Sequence, residues 1–339
     1  MKTRLLQYLC GGFLVLLFGA MVGFNHHKPR IMILHTYSES GAWDKAVDNG
    51  IRLELSRNLI PVSTRWHYMA FTNEPARIQW DLTGKASQRV VDYYAPDVLI
   101  AIGEEAQEYV GRHYAGRQDL RIVYGMGENP VNFGYEHSPN VTGINEVLPL
   151  REIVDALAHL GRPSLRIRAL GMNDATGHAE SQQVLNFSWA PYRLMGVQLV
   201  EDYQEWQEAV RAAEHDCDVL IILSFTGLPL SADIDRAVGN PQIAAWTENE
   251  SVPLAIGVRE SFVQGGGALA IVPSAQGMGQ LLARKALSVL AAPKGGPIPA
   301  VEDNVEFQIA MRPGRLAERK VSLPAIYTQA ARTSHSLYE

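Results

Sequence analysis

Residues 96–107, PDVLIAIGEEAQ, carry the pattern that decides the fold of this chain. A proline precedes an apolar run from Val98 to Ile102, and a small polar cluster, Gly103-Glu104-Glu105, follows it directly. After the cluster the chain continues in a helical pattern. An apolar run without alternation is typical of a strand that is buried on both faces, as in a parallel sheet. The helix after it would be the crossover to the next strand.

The same order of apolar run, polar cluster and helix recurs along the chain. Five further runs show it, at residues 31–34, 122–124, 167–170, 219–223 and 254–256. We therefore predict an α/β protein with two successive doubly wound parallel-sheet lobes. In such sheets the loops after the strands gather at one edge, where ligands bind. The pattern thus indicates where a ligand would lie before it indicates which ligand.

Length and composition limit the class of protein. The chain has 339 residues, which favours two domains, and 47% are hydrophobic, which is enough for ordinary cores. Its formal net charge is −6 and no basic stripe is visible, so we predict no nucleic-acid partner. Of its two cysteines, Cys10 lies in the N-terminal apolar stretch and Cys217 is interpreted as a small buried hydrophobe.

The N-terminus has the pattern of an export segment. Lys2 and Arg4 precede an apolar run from Leu9 to Phe24, and a polar spacer ends at Arg30. The run is long for a signal peptide and short for a spanning helix. Two outcomes stay open for residues 1–29: a cleaved signal peptide, or a single-pass anchor with its linker. We predict a periplasmic protein that is either secreted or anchored to the inner membrane by residues 5–24.

The rest of the chain divides into an N-terminal lobe over 30–145, a C-terminal lobe over 146–272 and a segment shared between the lobes over 273–339. The second lobe contains a predicted helix over about 177–195 and a strand over 196–200. The last segment contains a predicted helix over 275–291 and an alternating strand over 305–310.

Catalytic signatures are missing from the sequence. It contains neither a dinucleotide fingerprint, a phosphate-binding loop, a nucleophile elbow nor a zinc-binding helix motif. The ten histidines show no ligand spacing. We therefore predict no enzyme activity, no cofactor and no metal.

The polar clusters after the strands supply the candidate ligand-binding residues. Their acids could be stabilised by a helix dipole alone, or could hold an amine or hydroxyl of a ligand. The aromatic residues could be core or pocket wall, and the small polar ones could be helix caps or ligand contacts. The predicted set is Tyr37, Ser38, Glu39, Trp43, Gly103, Glu104, Glu105, Glu128, Asn129, Asn173, Asp174, Ser224, Phe225, Thr226 and Glu260.

Four segments together resemble a known family. They are residues 96–107, residues 124–134 (YGMGENPVNFG), residues 140–144 (NVTGI) and residues 252–290, which include VQGGGALAIV. In this order they resemble the ABC-transporter substrate-binding proteins related to the tryptophan/tyrosine-binding type. The resemblance covers nearly all of residues 30–330. It implies a type I periplasmic-binding fold, with a multi-strand hinge and a ligand held in the cleft between the lobes.

Two positions depart from the family pattern. Glu104-Glu105 stand where the family usually has Thr or Ser with Ala, and Asn129 stands where it usually has Asp. Glutamates at a helix start would repel a ligand carboxylate, so we favour a ligand with a positive or hydroxyl-rich end.

The function that the resemblance implies is extracytoplasmic solute binding. We predict a monomer that delivers a small organic ligand to an ABC permease. A membrane-anchored sensor subunit is the alternative, and an enzyme on the same scaffold is the third reading.

Overall fold

The computed structural model describes residues 11–19, 28–59, 61–70, 77–126, 133–231, 233–293 and 296–339. Residues 11–19 are helical (α1) and carry exposed apolar side chains, among them Phe13 and Leu16. In the part of the chain that is described, no helix is both long and apolar enough to cross a membrane. Much of the predicted export segment lies outside these residues.

The chain forms two compact units, neither of which is one continuous stretch. The first unit consists of Met1–Gly143 and Gly279–Val301, and the second consists of Ile144–Met278 and Glu302–Glu339. The chain therefore passes from one unit to the other three times, after residues 143, 278 and 301.

The first sheet has the strand order β13-β5-β4-β3-β1-β2. The pairs β2–β1, β1–β3, β3–β4 and β5–β13 are parallel. Its strands are β1 Arg30–His35, β2 Ser63–Tyr68, β3 Val98–Ile102, β4 Arg121–Gly125, β5 Val141–Glu146 and β13 Glu302–Asn304. The helices of this region are α2 Ala42–Ser56, α3 Arg77–Tyr94 and α4 Glu104–Tyr109, followed by a 3-10 turn at Gly111–Tyr114.

The second sheet has the order β14-β12-β11-β8-β6-β7. Only β14 pairs antiparallel, against β12, among the pairs of this sheet whose register is described. Its strands are β6 Arg166–Met172, β7 Arg193–Val200, β8 Val219–Ile222, β11 Leu254–Gly257, β12 Leu269–Pro273 and β14 Phe307–Met311. The helices of this region are α5 Leu150–Ala158, α6 Ala175–Asn186, α7 Tyr203–Asp216, α8 Asn240–Glu250, α9 Glu260–Gln264, α11 Pro313–Glu318 and α12 Ala325–Thr333. Helix α10, Ala275–Ala291, begins in the second unit, and its residues from Gly279 onward belong to the first unit. A small hairpin joins β9 Pro229–Ser231 to β10 Ile234–Ala237.

The central strands explain why the apolar runs became parallel sheets. Every residue of β3, β8, β11 and β12 is buried. Strands covered by helices on both faces must be apolar throughout, which is what the sequence shows. Both sheets therefore confirm the predicted α/β class with parallel-dominated, doubly wound sheets.

The last residues of the chain cover one edge of the second sheet. The Met311 N–H on β14 donates to the Ser336 carbonyl at 3.1 Å, and the Tyr338 N–H donates to the Met311 carbonyl at 2.9 Å. Residues 336–338 thus satisfy hydrogen-bonding groups of the backbone on the open side of edge strand β14.

One predicted element was wrong in its bounds. The helix expected over 177–195 is α6, which ends at Asn186, and β7 already begins at Arg193. Pro191 lies between them and cannot continue a helix. The Trp189 side chain instead donates to the Val184 carbonyl at 2.9 Å, in the last turn of α6.

Candidate functional site

The loops after β1 and β3 form the candidate site of the first unit. Strand order reverses at β1, which has β2 on one side and β3 on the other. The carboxyl ends of two such strands flank the crevice in which doubly wound sheets bind ligands. The predicted residues Tyr37 to Glu39 follow β1, and Gly103 to Glu105 follow β3, so parallel pairing brings these two clusters to one edge.

A threonine outside the predicted set holds the two loops together. The buried Thr36 hydroxyl donates to the Ile102 carbonyl at 3.1 Å and accepts the Ala106 N–H at 3.0 Å. Gly103 has a φ of +93°, and a Cβ there would lie 2.4 Å from the Thr36 hydroxyl oxygen. Only glycine therefore fits this close approach. The signal for Thr36 was a hydroxyl placed directly after a buried strand.

Two glutamates occupy the first turn of α4. Glu104 and Glu105 are both partly buried. Burial raises the pKa of Glu105 because the charged form loses water, and the charge of Glu108 adds to the increase. A positive or hydrogen-bonding group brought to this carboxyl would stabilise its charged form.

The other predicted residues of the first unit differ in exposure. The Tyr37 side chain is 43% exposed and Glu39 is exposed, whereas Ser38 and Trp43 are partly buried. These side chains lie in or just after the loop that follows β1. The predicted residues Glu128 and Asn129 lie outside the described residues.

The corresponding loops of the second unit follow β6 and β8. The Met172 N–H donates to the Ser224 carbonyl at 2.8 Å, which ties the Asn173-Asp174 loop to the Ser224 loop. Asp174 caps α6 by accepting the Gly177 N–H at 2.7 Å. Burial nevertheless raises the pKa of Asp174. The structure thus brings these two predicted clusters together.

Not every predicted residue of the second unit faces solvent. The Phe225 ring is 2% exposed and meets Trp206 edge-on at 5.6 Å, so it belongs to the core here. Glu260 accepts hydrogen bonds from Tyr338 at 2.7 Å and Gln308 at 3.2 Å.

The remaining predicted residues of the second unit are exposed polar groups with partners of their own. Asn173 donates to Glu201, and Thr226 accepts from the Asn240 amide at 3.0 Å.

A partly buried ion triad lies beside the Ser224 loop and was not predicted. The Arg259 guanidinium donates to Glu146 at 2.6 Å and to Glu180 at 2.8 Å, and Glu180 also accepts the Ser224 N–H at 2.7 Å. Burial alone would lower the pKa of Arg259, but the two carboxylate charges outweigh it and raise the pKa. The available signal was an arginine at the end of an apolar strand, next to Glu260.

A second buried ion cluster lies at the end of β1. His35 is fully buried, and its Nδ1 and Nε2 lie 3.1 Å from Asp44 and 2.8 Å from Asp48. Since both ring nitrogens face carboxylate oxygens, the protonated ring, an imidazolium, can donate to both at once. Asp48 also accepts hydrogen bonds from Trp66 at 3.0 Å and from Tyr68.

The pKa shifts within this cluster are consistent with the imidazolium. Burial alone lowers the pKa of His35, but the hydrogen bonds and charges of Asp44 and Asp48 outweigh it and raise it above 6.5. Burial alone raises the pKa of Asp48, but hydrogen bonds from His35 and Tyr68 outweigh it and bring it below 3.8. Among the described residues, no group of three or more His, Cys, Asp or Glu side chains could hold a metal ion.

The architecture described above is that of the type I periplasmic binding proteins, and solved structures share it. A substrate-binding protein with adhesive properties from Clostridium difficile, in its ligand-free open form, aligns with a TM-score of 0.61 and 13% identity. That alignment covers 88% of this chain and 96% of the other.

Two further structures have the same fold. An ABC domain from Streptococcus pneumonia in complex with L-Trp aligns with a TM-score of 0.59 and 14% identity, over 89% of this chain and 98% of the other. An arabinose-binding protein from Geobacillus stearothermophilus aligns with a TM-score of 0.56 and 10% identity, over 85% and 98%. At these identities the likeness shows the fold and leaves function to be argued from the site. Neither a family model nor a curated protein matches the chain.

Proposed function

We propose that this protein is an extracytoplasmic solute-binding protein that binds one small organic ligand and passes it unchanged to an ABC permease. The loops after β1 and β3 and those after β6 and β8 are the proposed ligand-contacting segments. The observation that carries the proposal is the strand order, which reverses beside β1 in one sheet and beside β6 in the other. Polar side chains follow the strands at both of these points.

The chemistry of these loops supports a ligand with an ammonium or several hydroxyl groups. Glu104 and Glu105 begin α4, and Asp174 begins α6. The pKa values of Glu105 and Asp174 are raised by burial, so an ammonium group would offset the cost of their charges. Of the structures with this fold, one is in complex with L-Trp and another is an arabinose-binding protein, which supports a ligand of about that size.

A thermal-shift screen tests the proposal. The chain from Lys28 onward is heated with amines, amino acids, nucleosides and sugars, and each hit is measured by calorimetry. A true ligand stabilises the protein by about 2.7 kcal/mol at a hundredfold excess over its dissociation constant. Mass spectrometry then checks that the bound compound is recovered unchanged. Turnover of the compound would favour the enzyme instead.

Matched variants test the placement of the site. We expect Glu104→Gln and Glu105→Gln each to weaken binding of the identified ligand by roughly tenfold, since a charge-assisted hydrogen bond is lost. Glu214→Gln, which changes an exposed glutamate on α7 of the second unit, is the control and should change affinity little. Equal affinities for all of these variants and the unmodified protein would place the ligand elsewhere.

A further inference from the structure

The surface beside the His35 cluster contains an open pocket of about 490 Å³ in the first unit. One face of α2 contributes Lys45, Asn49 and Arg52, and the end of β2 contributes Tyr68. Lys45 and Arg52 are seven residues apart, so they lie on the same helix face about two turns, or roughly 10 Å, from each other. Asn49 lies between them.

The Arg52 side chain is held in place by an aromatic platform. Its guanidinium carbon lies 3.9 Å from the centre of the Trp66 ring, which is close enough for a cation–π interaction. Trp66 is itself fixed, because its indole N–H donates to Asp48 at 3.0 Å. The stacked guanidinium keeps its edge N–H groups available to a ligand and loses little conformational freedom on binding.

Asp48, the acid of α2 that lines the pocket, is engaged in contacts of its own. Its carboxylate already accepts from His35, Trp66 and Tyr68, and the protonated His35 ring balances one of the two carboxylates that it contacts, Asp44 and Asp48. Neither Lys45 nor Arg52 lies within ion-pair distance of an acid in the described part of the chain.

Glu39 is the exposed acid at this pocket. It lines the pocket and is exposed, so its carboxylate opposes an anion there. Lys45 and Arg52 together balance Glu39 and the one carboxylate that His35 leaves uncompensated, so direct contacts of the two cations, rather than a net positive charge, would hold an anion here.

We propose that Lys45, Asn49 and Arg52 form a binding site for a small oxyanion, either a free anion or the phosphate or carboxylate group of a larger solute. Arg52 takes the oxyanion in a two-point hydrogen bond, Asn49 adds its amide, and Lys45 supplies the second positive charge. The pocket shares Glu39 and Ser40 with the loop after β1 that is assigned to the solute, but the three residues proposed to bind the oxyanion all lie on α2.

Calorimetric titration of the full chain with inorganic phosphate and, separately, with acetate tests the site. We expect saturable binding of at least one of the two at millimolar concentrations. Phosphate alone would indicate a phosphorylated ligand, and binding of both would indicate any oxyanion. Sodium chloride at equal ionic strength controls for screening of surface charge.

Three variants separate the site from general surface charge. Arg52→Gln should weaken binding by roughly tenfold or more, because it removes the two-point contact. Arg89→Gln, which removes an exposed arginine from α3, is the control and should have no effect. Glu39→Gln should tighten binding, since it removes the opposing charge.

Two results would overturn the proposal. One is the absence of saturable binding for both anions. The other is an equal response of the Arg52 and Arg89 variants, with circular dichroism showing both to be folded.

Discussion

Each unit places a cation between two carboxylates near the end of a central strand, fully buried in the first unit and partly buried in the second. In the first unit it is His35, between Asp44 and Asp48. In the second it is Arg259, which follows β11 and contacts two glutamates. A buried charge is tolerated only when it is paired and hydrogen-bonded, so removal of one member leaves its partners uncompensated. Of the two cations, only the histidine can lose its charge near neutral pH.

The stability of the protein should therefore depend on the charge of His35. Because its folded pKa is raised above 6.5, the stabilisation is complete below the unfolded pKa and is lost as pH rises through the folded pKa. We expect the free energy of unfolding, measured with urea, to fall over this range. His35→Gln should lower stability at acidic pH and remove the slope.

A histidine elsewhere serves as the control for this measurement. His113→Gln changes an exposed ring and should leave the slope intact. An unchanged slope in the His35 variant would show that other groups cause the pH dependence.

Single residues of the site were only partly predictable. The clusters after β1, β3, β6 and β8 could be located, because a polar side chain at the end of an apolar run can be recognised from the sequence alone. Thr36 and Arg259 were missed because their roles depend on partners far along the chain, at Ile102 and Glu146. Phe225 was predicted as a ligand contact because it lies in a polar stretch of sequence. Its ring instead packs against Trp206 in the core.

At the scale of elements, buried parallel strands were the most predictable feature. Their unbroken runs of apolar residues are easily recognised in the sequence. Among the helices, α10 was predicted with its observed bounds, Ala275–Ala291. The short hairpin of Pro229–Ser231 and Ile234–Ala237 was not predicted, since strands this short have too few residues for alternation to be seen.

The junction between β3 and α4 offers a test at this scale. Gly103→Ala should destabilise the protein by ~2 kcal/mol more than Gly116→Ala, measured by denaturant unfolding. Both glycines have positive φ values, +93° and +82°, so both variants carry the cost of a left-handed backbone. Only Gly103 has atoms within reach of the new Cβ, whereas Gly116 has none within 4 Å.

The outcome separates two causes of the glycine requirement. Equal losses would show that the backbone angle alone matters. A larger loss at Gly103 would show that contact with Thr36 adds to it.

At the scale of the whole molecule, the first unit depends on a segment that comes late in the chain. The α10 residues Leu282, Ala286 and Val289 are fully buried. A Cβ on Gly125 of β4 would lie 2.8 Å from the Leu282 methyl groups, so the two are packed closely. Arg121, also on β4, donates to the Ala292 carbonyl at 3.0 Å.

We therefore expect residues 28–143 to fail to fold by themselves. Loss of a buried leucine alone costs about 2–5 kcal/mol, which is a large part of the stability of a small unit. The same stretch joined to residues 279–301 through a flexible linker should regain a cooperative thermal transition. Circular dichroism of both proteins decides the matter. An equally cooperative transition in the shorter one would contradict the expectation.

The pairing of residues 336–338 with strand β14 determines which residues a shortened form of the protein should keep. Ser336 and Tyr338 occupy backbone groups of Met311 that would otherwise be open to another molecule. Removal of these residues would leave the Met311 N–H and carbonyl on edge strand β14 without partners. Another molecule could then pair with this strand, which would promote aggregation. Any shortened form of the protein should therefore retain residues 336–338.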